Sequence, residues 1–182
     1  GVILSPFRHD AGHDNELPVE GFLSGVRETC DRAGIVFILD DVRAGYRLHM
    51  GGSGELFGVR PDLSTYCKAM GNGYPISACL GRDSLKQAAQ EVFITGSYFT
   101  SGVPMAASLA CLRELAACGG IERMRILGEK LRDGMLAQAR AARLEVTYSG
   151  PPSLPYMTFK DDRGHHERIK LFAGECARRG SY

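Results

Sequence analysis

No charge of one sign dominates this chain: 22 lysines and arginines face 21 aspartates and glutamates, for a net charge of +1 at pH 7. So even a balance leaves no electrostatic footprint for nucleic acid or for an anionic membrane surface. The arginines near Arg123, Arg125, Arg132, Arg140 and Arg143 are interleaved with Glu122, Glu129 and Asp133, as on a solvated helix face. No apolar run approaches the length of a bilayer span, and no basic region followed by an apolar segment opens the chain. Neither a transmembrane helix nor a signal peptide is therefore read. The six cysteines form no Cys-x-x-Cys pair and are scattered through apolar patterns, as small buried hydrophobes of a reducing compartment are. These absences predict a cytoplasmic protein with no nucleic-acid and no membrane partner.

What is present is ordinary for a globular domain: 44% hydrophobic and 24% charged residues, over a length that allows one good core or one and a half domains. The informative stretch is 35–75. Residues 35–39 form a short apolar run ending on Asp40 and Asp41, the pattern of a buried parallel strand that delivers carboxylates to its carboxyl end. In open α/β sheets that edge holds the ligand crevice. A second strand-like run, 63–67, delivers Lys68 just before the turn Gly71-Asn72-Gly73. Lysines mostly extend into solvent, but Tyr66, Cys67, Ala69 and Met70 are not the neighbours of a solvated face. An amine in a partly dry cleft loses its proton more readily and can attack a carbonyl. A cofactor that acts as an electron sink through a protonated ring nitrogen needs such a lysine and one facing carboxylate. Asp40 and Lys68 suit those two roles.

The motifs Asp40-Asp41-Val42-Arg43-Ala44-Gly45-Tyr46-Arg47, Pro61-Asp62-Leu63 with Lys68, and Asn72-Gly73-Tyr74-Pro75-Ile76-Ser77-Ala78 closely resemble the class III pyridoxal-phosphate aminotransferases, and most of all their glutamate-1-semialdehyde aminomutase group. The resemblance runs over nearly the whole chain. It implies a fold-type-I α/β large domain with a mostly parallel sheet, pyridoxal 5'-phosphate as cofactor, and a Schiff base at Lys68. It also implies that Asp40 pairs with the pyridinium nitrogen and that Val42 packs on one face of the ring. Small-molecule amine or amino acid and carbonyl substrates are implied, as is a homodimer with shared active sites. Three positions depart from the family pattern. Asp41 stands where glutamate is usual, Ser5 where glutamate often precedes proline, and Phe99 where a threonine reaches the phosphate of the neighbouring subunit's cofactor. The phosphate-contacting role then moves to Thr100 or Ser101.

Elsewhere the patterns predict a strand at 2–4, a helix over 21–34, a strand at 76–80 and a short helix over 83–89 capped by Asp83. A helix from Pro104 to about Ala117 follows, then a long helix over 121–143 with an apolar stripe at Ile121, Met124, Leu127, Leu131 and Met135. Strands at 144–148 and 156–160 and a helix over 166–179 close the chain. The expected organisation is 1–120 as the C-terminal part of a large cofactor-binding domain, 121–143 as a linking helix, and 144–182 as the start of a truncated small α/β domain. A buried parallel strand needs neighbours and covering helices, so a chain opening on 2–4 also reads as truncated. His9, Asp10, His13 and Asp14 sit in a loop without helical ligand spacing, so no metal site is expected. Gly51-Gly52-Ser53-Gly54 lacks the Lys-Ser/Thr of a P-loop and reads as a mobile loop. His165 and His166 read as a solvated helix start rather than a catalytic pair.

Two functions fit: a pyridoxal-phosphate enzyme that moves amino groups, active as the intact gene product though not as this piece alone, or an inactive dimerising relative. The substitutions at Ser5, Asp41 and Phe99 allow the second. Retention of both Asp40 and Lys68 favours the first.

Overall fold

The computed structural model describes residues 1–10, 12–162 and 166–181. In chain order it contains β1 (Val2–Leu4), α1 (Phe22–Ala33), β2 (Phe37–Asp40), α2 (Ser53–Leu56), β3 (Leu63–Tyr66), β4 (Ala78–Gly81), α3 (Lys86–Glu91), α4 (Gly102–Ala117), α5 (Gly120–Ala141), β5 (Val146–Ser149), β6 (Tyr156–Phe159) and α6 (Glu167–Arg178). They fall into two compact units. One comprises Gly1–Pro6 and Pro18–Met124, the other Phe7–Leu17 and Arg125–Tyr182.

The first unit is built on a four-stranded sheet of order β1-β2-β3-β4. β1, β2 and β3 run parallel, with Leu4 beside Leu39 and Asp40 beside Thr65. β4 is antiparallel to β3 through the turn at Asn72 and Gly73, which pairs Tyr66 with Ala78. Ser5, Asp40 and the residues after Tyr66 therefore all leave the sheet at one edge. Phe37 and Leu39 are buried, and with Leu23 and Cys30 of α1 and Val59 they make the core. Burying side chains of this kind stabilises by about 1.5–3 kcal/mol each. Gly34 ends α1 at φ +64, with its N–H bonded back to the last helical turn, as a left-handed helix cap requires.

Asp62, just before β3, anchors the opposite edge. Its Oδ2 accepts from the Phe37 N–H and from Arg27 Nη1, both at 2.7 Å, and its Oδ1 meets Arg82 Nη1 at 3.0 Å. The Arg27 guanidinium also lies over the Phe37 ring, 5.5 Å from its centre. One carboxylate thus joins α1, β2 and the end of β4.

In the second unit β5 and β6 form an antiparallel pair, and Phe172 of α6 packs edge-on against Phe159. The 7–17 segment is tied in by Asn15, whose N–H and side-chain amide donate to Ser149 Oγ and the Leu154 carbonyl, both at 2.9 Å.

Several expectations need correction. Asp83 does not cap a helix through its side chain; it opens a 3-10 turn, Asp83–Leu85, that runs into α3. On α5, Leu127 and Leu131 are exposed although the apolar stripe predicts them inside. The buried positions are Gly120, Gly128 and Ala139, and at Gly128 the loop at Pro152 lies so close that a β-carbon would overlap the Pro152 carbonyl. Small residues win where backbone approaches backbone. Gly51 to Gly54 is not a free loop: Ser53 starts α2 and is fully buried. His166 is the half-buried residue preceding α6, and His165 lies outside the described residues.

Candidate active site

Asp40 ends β2 and is half-buried. Its Oδ1 accepts from Thr65 Oγ1 on the neighbouring strand at 3.0 Å and from the Val42 N–H at 3.2 Å. Both bonds fall on one oxygen, and among the described residues no donor meets Oδ2. The carboxylate is held from behind and keeps one acceptor for a ligand.

Lys68 opens a 3-10 turn, Lys68–Met70, directly after β3. Its backbone is left-handed, at φ +42, a conformation that costs a residue with a β-carbon about 1 kcal/mol or more. The Asn72 N–H donates to the Lys68 carbonyl at 3.0 Å, and Cys111 of α4 bonds the Ala69 carbonyl through sulfur at 3.4 Å. The turn is thus held from both ends. Lys68 itself is exposed, contrary to the partly dry setting its neighbours suggest, because Met70 takes the buried position and Cys67 and Ala69 the half-buried ones. Since Asp40 pairs with Thr65, the backbone register brings Asp40 and Lys68 to the same carboxyl edge on adjacent strands.

Val42 is half-buried beside Asp40. Thr100 lies in an exposed turn, and Ser101 immediately precedes α4 without a side-chain cap bond. The structure joins Asp40, Val42 and Lys68 through one sheet edge; Thr100 and Ser101 belong to a different segment.

Sequence reasoning noted Asp41 only as a departure from the family pattern and gave Ser53 no role. Asp41 is 1% exposed and Ser53 is fully buried. Asp41 Oδ2 accepts from the Ser53 N–H at 2.7 Å and Oδ1 from Ser53 Oγ at 2.6 Å. Burial, and then the Asp41 charge, raise the phenol pKa of Tyr46. Tyr66 is likewise raised, by burial first, with a Ser64 hydrogen bond opposing and Asp41 adding. The two tyrosine rings lie 5.2 Å apart. The available signal was a second acidic residue at the end of an apolar strand, followed by a serine flanked by glycines.

Three parallel strands closed by an antiparallel fourth, with carboxylates and a lysine at the carboxyl edge, define an α/β sheet of the class in which ligands bind outside that edge. The chain belongs to the aminotransferase class-III family, whose model matches residues 1–147. It is 40% identical over 182 residues to an aminopentol aminotransferase of Sphingopyxis macrogoltabida, covering 100% of this chain and 43% of that protein. It is 39% identical over 134 residues to a glutamate-1-semialdehyde 2,1-aminomutase of Myxococcus xanthus (strain DK1622), covering 72% of this chain and 31% of the relative. Among solved structures it is similar to the PLP internal aldimine form of the FumI protein of Sphingopyxis sp. MTA144, with a TM-score of 0.84 at 39% identity over 88% of this chain and 39% of that one. It is also similar to N-acetylornithine aminotransferase of Stenotrophomonas maltophilia K279a, with a TM-score of 0.78 at 25% identity over 95% of this chain and 45% of that one. The chain thus spans less than half the length of these relatives. Its fold is that of the fold-type-I aminotransferases.

Proposed function

We propose that the protein containing this chain moves an amino group between an amine or amino acid and a carbonyl compound, as an aminotransferase or a 2,1-aminomutase, with pyridoxal phosphate as cofactor. The observation that carries this reading is the register of β2 on β3, which sets Asp40 beside Thr65 and so brings the carboxylate and Lys68 to the same edge of the sheet. The residues suit the cofactor: Asp40 has an oxygen free of donors among the described residues, the right partner for a protonated ring nitrogen, and Lys68 offers a primary amine beside it. When bound, the cofactor supplies an electron sink for the carbon that bears the amino group.

Each residue then has a definite task. Asp40, backed by Thr65 and the Val42 N–H, holds a proton on the ring nitrogen. Lys68 would hold the cofactor through Nζ and, when freed, would act as the base that takes up and returns the proton of the substrate carbon bearing the amino group. Val42 covers one face of the ring. Thr100 or Ser101 contacts the phosphate of a cofactor bound to a second copy, which makes the working unit a homodimer. In this reading residues 1–120 are part of a large cofactor-binding domain, 121–143 a linking helix and 144–182 the start of a small domain.

Relatives named aminotransferase and aminomutase match at nearly equal identity, so both substrate modes stay within the proposal. The test is borohydride reduction of the full-length protein with pyridoxal phosphate, followed by peptide mapping. A pyridoxyl label on Lys68, absent from Lys68→Ala, is expected. A label elsewhere, or none, refutes the reading.

A further inference from the structure

The buried Asp41–Ser53 pair has no part in the chemistry above, yet few side chains in the first unit are so fully enclosed. Asp41 uses three groups at once. Its N–H donates to the Thr65 carbonyl at 3.0 Å and its carbonyl accepts from the Gly45 N–H at 2.8 Å. Its carboxylate takes both the N–H and the hydroxyl of Ser53. The same Thr65 donates its hydroxyl to Asp40. Residues 40, 41, 53 and 65 are therefore one network, and the loop between Asp41 and Ser53 is closed on itself at its base.

That closure holds a strained path. Tyr46 sits at φ +60 and Gly52 at φ +86, and Tyr66 packs against the loop from β3. A β-carbon at Gly45 would come within 2.7 Å of both the Asp41 carbonyl and the Tyr66 ring. Conformations of this kind persist only where the surroundings over-determine them. A buried carboxylate, too, is tolerated only when its acceptors are filled.

We infer that Asp41 is a positioning residue for Asp40: by latching Ser53 it fixes the backbone from Asp40 to Val42, and with it the direction of the free Asp40 oxygen and of the Val42 side chain toward the cofactor ring. The inference rests on the functional reading above. Asp41 is shorter by one methylene than the glutamate expected at this position, and the hydroxyl of Ser53 reaches it at 2.6 Å.

The test uses the full-length protein and three readouts: pyridoxal-phosphate affinity, the pH midpoint of the bound cofactor's absorbance, and the melting temperature of the apo form. Ser53→Ala keeps the N–H donor and deletes the hydroxyl. It should weaken cofactor affinity about tenfold, the fold-change that losing one hydrogen bond to a charged group carries, and lower the absorbance midpoint as Asp40 loses its hold on the ring proton. Asp41→Asn should move both readouts further in the same direction. In an Asp40→Asn background Ser53→Ala should change neither, because its effect passes through Asp40. Variants that melt earlier yet bind and absorb as wild type overturn the inference and leave the pair a structural brace. Additive effects on the Asp40→Asn background overturn it as well. Should Ser53→Ala fail to fold, Asp41→Asn is held to the same criteria. A wild-type protein that takes up no pyridoxal phosphate through Lys68 removes the functional reading and this inference together. A wild type that loads normally, with variants equally normal, removes the inference alone.

Discussion

Two glycines with positive φ separate what a left-handed backbone costs from what crowding costs. Gly34 caps α1 at φ +64, and a β-carbon there would meet nothing within 4 Å. Gly34→Ala should lower stability by only about 1 kcal/mol, the conformational penalty alone. Gly52, at φ +86, is buried against the latch: a β-carbon would run into the Tyr66 hydroxyl and come within 2.9 Å of Asp41 Oδ2. Gly52→Ala should cost about 3 kcal/mol or more, since strain adds to the displacement of a buried acceptor. Urea denaturation of both variants checks this, and equal losses would show that the loop relaxes freely. Gly34 was legible as the end of a helical pattern. Gly52 was not, because a glycine-rich tetrapeptide reads the same whether it is free or wedged under a carboxylate.

At the level of elements, Asp62 ties α1, β2 and β4 together. Burial pushes its carboxyl pKa upward, but the Phe37 N–H and the Arg27 and Arg82 guanidinium groups outweigh that and hold it below the usual carboxylate range. A depressed carboxyl stabilises the fold fully above its unfolded pKa, about 4, and that stabilisation is lost as pH falls through the lower folded value. Asp62→Asn should therefore destabilise by about 2–4 kcal/mol at neutral pH, as breaking a largely buried ion pair does. The gap to wild type should narrow steadily below about pH 4. Urea titrations across this range decide it; a gap that widens with acidity would contradict the assignment. The sequence showed the Pro61-Asp62-Leu63 motif but not its partners, because Arg27 and Arg82 come from elements that only the folded sheet brings alongside. The apolar stripe on α5 failed for a related reason. Periodicity marks a face able to be buried, but the Pro152 loop packs on Gly128, which no apolar stripe marks.

For the whole molecule, many large apolar side chains lie on the surface. Phe93, Ile94, Tyr98, Phe99, Val103, Met105 and Leu109 are all exposed, in the segment that holds Thr100 and Ser101. Patches of this kind mark interaction surfaces. The full-length protein should run as a dimer in size-exclusion chromatography with light scattering. On the proposed shared site, Phe99→Glu should shift it toward monomer and weaken pyridoxal-phosphate binding together, through the segment proposed to contact the phosphate. A monomeric Phe99→Glu protein that binds the cofactor as wild type would disprove the shared site. The isolated chain, lacking more than half the length of its relatives, should bind the cofactor weakly or not at all. Absorbance titration with Lys68→Ala as control measures this.

The positions of the strands along the chain, the helix after β1, and the arrival of Asp40 and Lys68 at strand ends were legible in the linear chain. Each follows from apolar runs, glycine caps and turn residues that act over a few positions. The family, too, was readable from its motifs in order. Tertiary structure alone decided that Lys68 is exposed while Met70 is buried, that Asp41 closes on Ser53, and that residues 7–17 belong with Ser149 and Leu154. Those outcomes depend on which groups from distant parts of the chain compete for the same buried space and the same acceptors. No local pattern encodes that competition.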